Sequence, residues 1–154
     1  MQGFTEPDPK IDLSGVDVAR KILILIRESG YAMEMEAIEN NSFLPKECME
    51  TTNNEDFFNS LIKHASHFEN LLAEAQSKDA RLKFVASFDN GKASVGLQFI
   101  PKESPFYNLE GKDNIVEFYT DRYIDQPLII KGAGAGAAVT ASGIFADVIR
   151  IGNV

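Results

Sequence analysis

Apolar positions come in blocks whose spacing changes along the chain. Over residues 16–26 (VDVARKILILI) almost every position is apolar, which predicts a buried helix over about residues 14–29. Ser14 reads as its N-cap, and Asp17, three residues on, completes a capping-box-like pattern with an acid at the positive helix end. Gly30 ends it. Residues 31–44 show no helical period and read as extended or irregular, with a short strand near 42–44 stopped by Pro45. Asn53 or Asn54 opens a second helix, with Phe57, Phe58, Leu61 and Ile62 at helical spacing. Ser66 caps a third, with Phe68, Leu71, Leu72 and Ala75 on one face. Residues 81–88 and 93–100 then flank Asp89-Asn90-Gly91, an Asn-Gly hairpin signal. After a loop over 101–112, with Phe106 and Leu109 pinned to the core, residues 114–120 and 128–131 read as two further strands. A last helix covers about 137–151. Helices followed by strands predict an α+β fold: a largely antiparallel or mixed β-sheet with helices packed on one face.

Composition narrows the function. The 154 residues suit one domain with a real core. The net charge is −8 and no Lys/Arg patch stands out, which argues against nucleic acid and anionic membranes as partners. Cys48 is the only cysteine, so no internal disulfide forms, in keeping with a reducing cytoplasm. No apolar run reaches the roughly 18 residues of a membrane helix, and Met1-Gln2-Gly3 does not open a signal peptide. His64 and His67 are three apart with no third ligand in view, and read as flanking a helix junction. The spacing of Glu6, Asp8, Asp12 and Asp17 matches no calcium loop, so no metal is expected.

Two stretches carry candidate chemistry. Thr5-Glu6-Pro7-Asp8-Pro9 is too proline-rich for helix and reads as a stiff extended strap. Asp17 and Lys21 share a helix face. The strap and the first helical turns could therefore converge on one polar pocket. The plainer alternative makes Asp17 a cap, Lys21 its partner, and Glu6 and Asp8 solvated loop. Near the other end, a strand runs into Gly132-Ala133-Gly134-Ala135-Gly136 and then a helix. That is either an anion or cofactor cradle or a tight turn where only glycine lets backbones approach. A dinucleotide fingerprint needs another strand and an acid about 20 positions on, and neither follows.

GFTEPDPKIDLSGVDVARK, residues 3–21, resembles the substrate-site signature of homoserine dehydrogenase. That signature is a Gly-aromatic-Thr-Glu-Pro-Asp-Pro run, then an acid, Leu, a small residue, Gly, any residue and Asp-Val-Ala-Arg-Lys. Phe4 stands where Tyr is common, which removes a hydroxyl, and Ile11 where an acid is common. QPLIIKGAGAGAAVTASGIFADVIR, residues 126–150, resembles the C-terminal signature of the same family, so the resemblance covers essentially the whole chain.

The resemblance implies interconversion of L-aspartate 4-semialdehyde and L-homoserine with NADP or NAD, in threonine, methionine and isoleucine biosynthesis. It implies Lys21 as the catalytic proton donor and acceptor. Glu6 and Asp17 bind the substrate ammonium, with Asp12 as a supporting substrate-site group and Asp8 as structural. Gly136 lies against the nicotinamide end of the cofactor, and Gly3 makes a second backbone contact to it. In the family a dinucleotide-binding half and the first strands of the substrate domain precede Gly3. The chain therefore reads as one catalytic and dimerisation domain, truncated on its N-terminal side and inactive alone. It resembles either the compact form or the C-terminal end of a fused aspartokinase–homoserine dehydrogenase. The family's sheet builds a homodimer, for which an uncovered face of Val116, Phe118, Leu128 and Ile130 would be the mark. The competing expectation is a non-catalytic dimerisation or substrate-binding module.

Overall fold

A computed structural model describes residues 8–111, 113–134 and 136–153. They fall into two compact units, one up to Tyr107 and one from Asn108 on.

The first unit opens with α1 (Pro9–Leu13) and α2 (Val16–Glu28), where a single helix was expected. Pro9 begins a helix instead of preventing one. At the first helical position its missing N–H costs nothing and its fixed φ suits the turn. Asp8, in an extended conformation, caps α1 by accepting from the Lys10 N–H at 2.9 Å. Ser14 therefore closes α1 and does not cap α2. Its hydroxyl donates to the Ile11 carbonyl and accepts only a long 3.4 Å bond from the Val16 N–H. Gly15, at φ 80°, makes the elbow between the helices.

A 3-10 turn (Met35–Ala37) leads into β1 (Ile38–Asn41), four residues earlier than the strand expected before Pro45. Then come α3 (Lys46–Met49), α4 (Asn54–Lys63), α5 (Ala65–Ser77), β2 (Arg81–Asp89) and β3 (Lys92–Ile100). Asn53 caps α4 through its side-chain Oδ1, which accepts from the Asp56 N–H at 2.8 Å. Ser66 lies inside α5 and does not cap it, because the chain turns at His64. The His64 N–H still bonds back to the Ser60 and Leu61 carbonyls. Ala75 is buried on α5, whereas Leu72 points outward.

The three strands form a mixed sheet in the order β1-β3-β2, β1 parallel and β2 antiparallel to β3. Asn90 and Gly91 both have positive φ (48° and 77°), as a two-residue hairpin turn of this hand requires. Ala86 opposes Val95 and Phe88 opposes Ala93, giving one apolar face. On it lies α2, through Ala19, Leu23 and Ile26. The opposite face carries Ser87 and Ser94, their hydroxyls 3.1 Å apart.

The expectation that α2 is buried all round is overturned. Among the described residues it packs mainly on the sheet, so the stripe at positions 19, 23 and 26 is sealed while Ile24 stays 61% exposed. A second small core gathers Leu44, Cys48 and Phe57, with Leu13, Phe43 and Phe68 packed against it.

The second unit contains β4 (Asp113–Thr120), β5 (Tyr123–Ala133) and α6 (Ala137–Gly152). β4 and β5 form their own two-stranded antiparallel sheet, so the described strands make two sheets. Val116 opposes Ile130 and Phe118 opposes Leu128, which puts all four on one face. β5 starts earlier than expected. Its register slips beyond Phe118, and Pro127, which has no N–H to donate, falls in that irregular part.

Candidate functional site at the α1–α2 elbow

Residue types decide where α2 points its charges. Ala19 and Leu23 face the sheet, which turns Asp17 and Lys21 to the solvent side of the first two turns. The Lys21 ammonium lies 2.8 Å from the Asp17 carboxylate, with the two side chains 55% and 47% exposed. Lys21 was expected on a buried helix and among acids. Among the described residues it is an accessible amine paired with the Asp17 carboxylate. Asp12 is exposed on the last turn of α1, across the elbow from that pair. Glu6 and Gly3, read as binding substrate and cofactor, lie outside the described residues.

The elbow is held by contacts that sequence reading missed. A methyl group on Gly15 would stand 2.4 Å from Cζ of Phe84 and 3.2 Å from Oδ1 of Asn40. The Asn40 amide donates to the Ser14 carbonyl at 2.8 Å, and the Lys10 ammonium donates to the Thr51 carbonyl at 2.7 Å. These partners are 26 and 41 residues apart, so no local pattern announces them.

In the second unit Gly136 precedes α6 with φ 129° and ψ 143°, and its carbonyl accepts from the Thr140 N–H at 3.1 Å. A Cβ on Gly134 would fall 1.2 Å from Nδ2 of Asn114, so a side chain there would require the exposed Asn114 amide to move aside.

The two histidines do flank the α4–α5 junction. His64 donates through Nδ1 to the Ser60 carbonyl at 2.9 Å, and its Nε2 lies 3.7 Å from Glu47. His67 donates to the Phe43 carbonyl at 2.8 Å. Among the described residues no three His, Cys, Asp or Glu side chains cluster as a metal site would need. Two shallow clefts, of about 520 and 600 Å³, both touch Glu47 and His64, and Asp12, Asp17 and Lys21 line neither. Among the described residues the candidate site consists of an amine and carboxylates on an exposed helical face. Such a face can hold an ammonium group and exchange a proton with a bound oxygen.

Comparison with known proteins gives this arrangement a context. The family profile described as homoserine dehydrogenase matches residues 1–149. The chain is 43% identical over 153 residues to a chloroplastic bifunctional aspartokinase/homoserine dehydrogenase 2 of Arabidopsis thaliana, covering 98% of this chain and 17% of that one. It is 41% identical over 152 residues to a homoserine dehydrogenase of Schizosaccharomyces pombe, covering 97% of this chain and 40% of the relative. A crystal structure of a Candida auris protein of unknown function superposes with a TM-score of 0.87 at 37% identity, over 96% of this chain and 42% of that one. The Staphylococcus aureus homoserine dehydrogenase, at 22% identity and a TM-score of 0.67, shares the fold. This chain thus spans a minor part of the relatives it matches. With its candidate pair inside a profile match that runs nearly end to end, the chain belongs to the homoserine dehydrogenase family.

Proposed function

We propose that this chain supplies the amino-acid side of a homoserine dehydrogenase site, which interconverts L-aspartate 4-semialdehyde and L-homoserine. The observation that carries the reading is the Lys21–Asp17 pair, 2.8 Å apart on the open face of α2 within the matched region. A nicotinamide dinucleotide, NADP or NAD, supplies the hydride in reduction and takes it in oxidation. Reduction of an aldehyde leaves a developing alkoxide, and Lys21 gives it a proton. In the oxidative direction the free amine of Lys21 takes the hydroxyl proton. Asp17 and Glu6 hold the substrate ammonium, and Asp12 orients the substrate or Lys21.

The turn before α6 suits the cofactor. Gly136 adopts a φ that side chains rarely tolerate, and the first turn of α6 has no side-chain cap among the described residues, as an anion-binding helix start would have. Gly136 would lie against the nicotinamide end, and Gly3 would make the second backbone contact.

The reading is tested by Lys21→Ala in the native polypeptide that carries this chain. Turnover of homoserine should fall by about 100-fold or more. Glu6→Ala should chiefly raise KM for homoserine. Near-normal turnover in the Lys21 variant would overturn the assignment. The chain by itself is expected to be inactive, since it spans 40% of the Schizosaccharomyces pombe relative.

The second reading, a homodimerisation module, is favoured by the face of β4 and β5. Leu128 and Ile130 there are 43% and 57% exposed, beside Val116 and Phe118. A second copy of the chain is the partner proposed for it, and both readings can hold together. Sedimentation velocity should give a dimer for the parent and a monomer for Ile130→Glu; a monomeric parent would exclude the module. Among the described residues no helix is long and apolar enough to cross a membrane. The free, buried thiol of Cys48 suits a reducing compartment such as the cytoplasm.

A further inference from the structure

The elbow between α1 and α2 joins Asp12 to the Asp17–Lys21 pair. Gly15 sits there with φ 80°, and helix begins or ends on both sides of it. Rotation at a glycine meets little steric resistance, so something else must set the angle. One side is set by packing, with the Phe84 ring where a Gly15 side chain would stand. The other is set by Asn40.

Asn40 lies on β1 in register with Val95, whose side chain belongs to the core under α2. From there its amide reaches the carbonyl of Ser14, the residue that closes α1. The sheet is thereby tied to the joint itself. Asp12 lies two residues before the tied carbonyl, and Asp17 and Lys21 lie three and seven residues after it. A change in the elbow angle therefore moves Asp12 relative to the Asp17–Lys21 pair. The bond is only partly buried, and a single such bond is a small part of what holds the fold together. The apolar stripe of α2 holds that helix on the sheet without it.

We propose that Asn40 is a positioning residue: its amide, bonded to the Ser14 carbonyl, fixes the α1–α2 elbow and so the placement of Asp12 against Asp17 and Lys21. The proposal rests on the functional reading of Lys21 and Asp17 above. It adds that a side chain on β1, outside the 3–21 stretch, sets the geometry with which the amino-acid substrate is met.

The test uses the native polypeptide carrying Asn40→Ala, which removes the donor, and Asn40→Asp, which keeps the shape but puts an acceptor against the carbonyl. Both should speed amide hydrogen exchange in a peptide over residues 9–20 several-fold, with β2 and β3 exchanging as in the parent. Both should raise KM for homoserine roughly tenfold, within the range that small misplacements cost. KM for the nicotinamide cofactor should not move. Mere destabilisation would lower the active fraction and leave both KM values alone. Unchanged exchange over 9–20 overturns the tie, whatever the kinetics. Faster exchange with an unchanged KM for homoserine overturns the positioning role. Lys21→Ala, run alongside, keeps the two readings apart: if it retains turnover, the functional reading fails while the exchange result still judges the tie.

Discussion

Gly15→Ala would place a methyl group 2.4 Å from Cζ and 2.5 Å from Cε1 of Phe84, about 1 Å inside ordinary contact, which starts at 3.4 Å. Two costs add. Holding an L-residue in the left-handed region costs about 1–2 kcal/mol. Forcing a ring aside in a packed core costs about 1–3 kcal/mol more. The expected loss is therefore about 2–5 kcal/mol, a large share of the roughly 5–15 kcal/mol by which domains are stable. Gly30 provides the control. It also has positive φ, 89°, but a Cβ there meets nothing within 4 Å. Gly30→Ala should therefore cost only the backbone part, about 1–2 kcal/mol. Urea unfolding followed by far-UV circular dichroism reads both. With a slope near 1.5 kcal/mol/M, the Gly15 variant should lose roughly 1–3 M of midpoint. Phe84→Leu removes the ring atoms that clash, so the double variant should recover about 0.5–3 kcal/mol relative to the sum of the singles. A Gly15 variant no worse than the Gly30 variant, or strict additivity with Phe84→Leu, would refute the reasoning.

The remaining predictions concern the core and the proton. Phe57 is fully buried beside Leu44 and Cys48, and Phe57→Ala should cost about 3–5 kcal/mol, read as a lowered midpoint in thermal unfolding. A lysine amine accepts a proton only after losing its own, which alkaline solution favours. Homoserine oxidation in the native polypeptide should therefore quicken from pH 7 toward pH 10 under conditions where chemistry limits the rate. A flat profile there would count against Lys21 as the base.

Local rules carried much of the fold. The Asn90-Gly91 turn, the Asn53 cap and the strands on either side of the hairpin follow from backbone preferences that act within a few residues. The α+β class follows from helices succeeded by strands. Pairing Asp17 with Lys21 needed only helical spacing, and the structure has that pair. Local rules failed where two of them competed at one position. Ser14 is a good cap, but Pro9 is a better helix start, and the short helix it opens ends at Ser14. They failed again on α2, whose apolar run promised burial that one sheet face cannot supply.

The order of residues by itself nominated which side chains could serve the chemistry, because residues 3–21 resemble a family signature that names residue types without needing their positions. Tertiary structure alone decided how they are presented. That Phe84 underlies Gly15, that Asn40 ties the elbow and that Lys21 faces outward all depend on β1 and β2 coming beside α2. Such contacts join residues tens of positions apart. Their energy appears only once the chain has closed the loop between them, and no local periodicity records it.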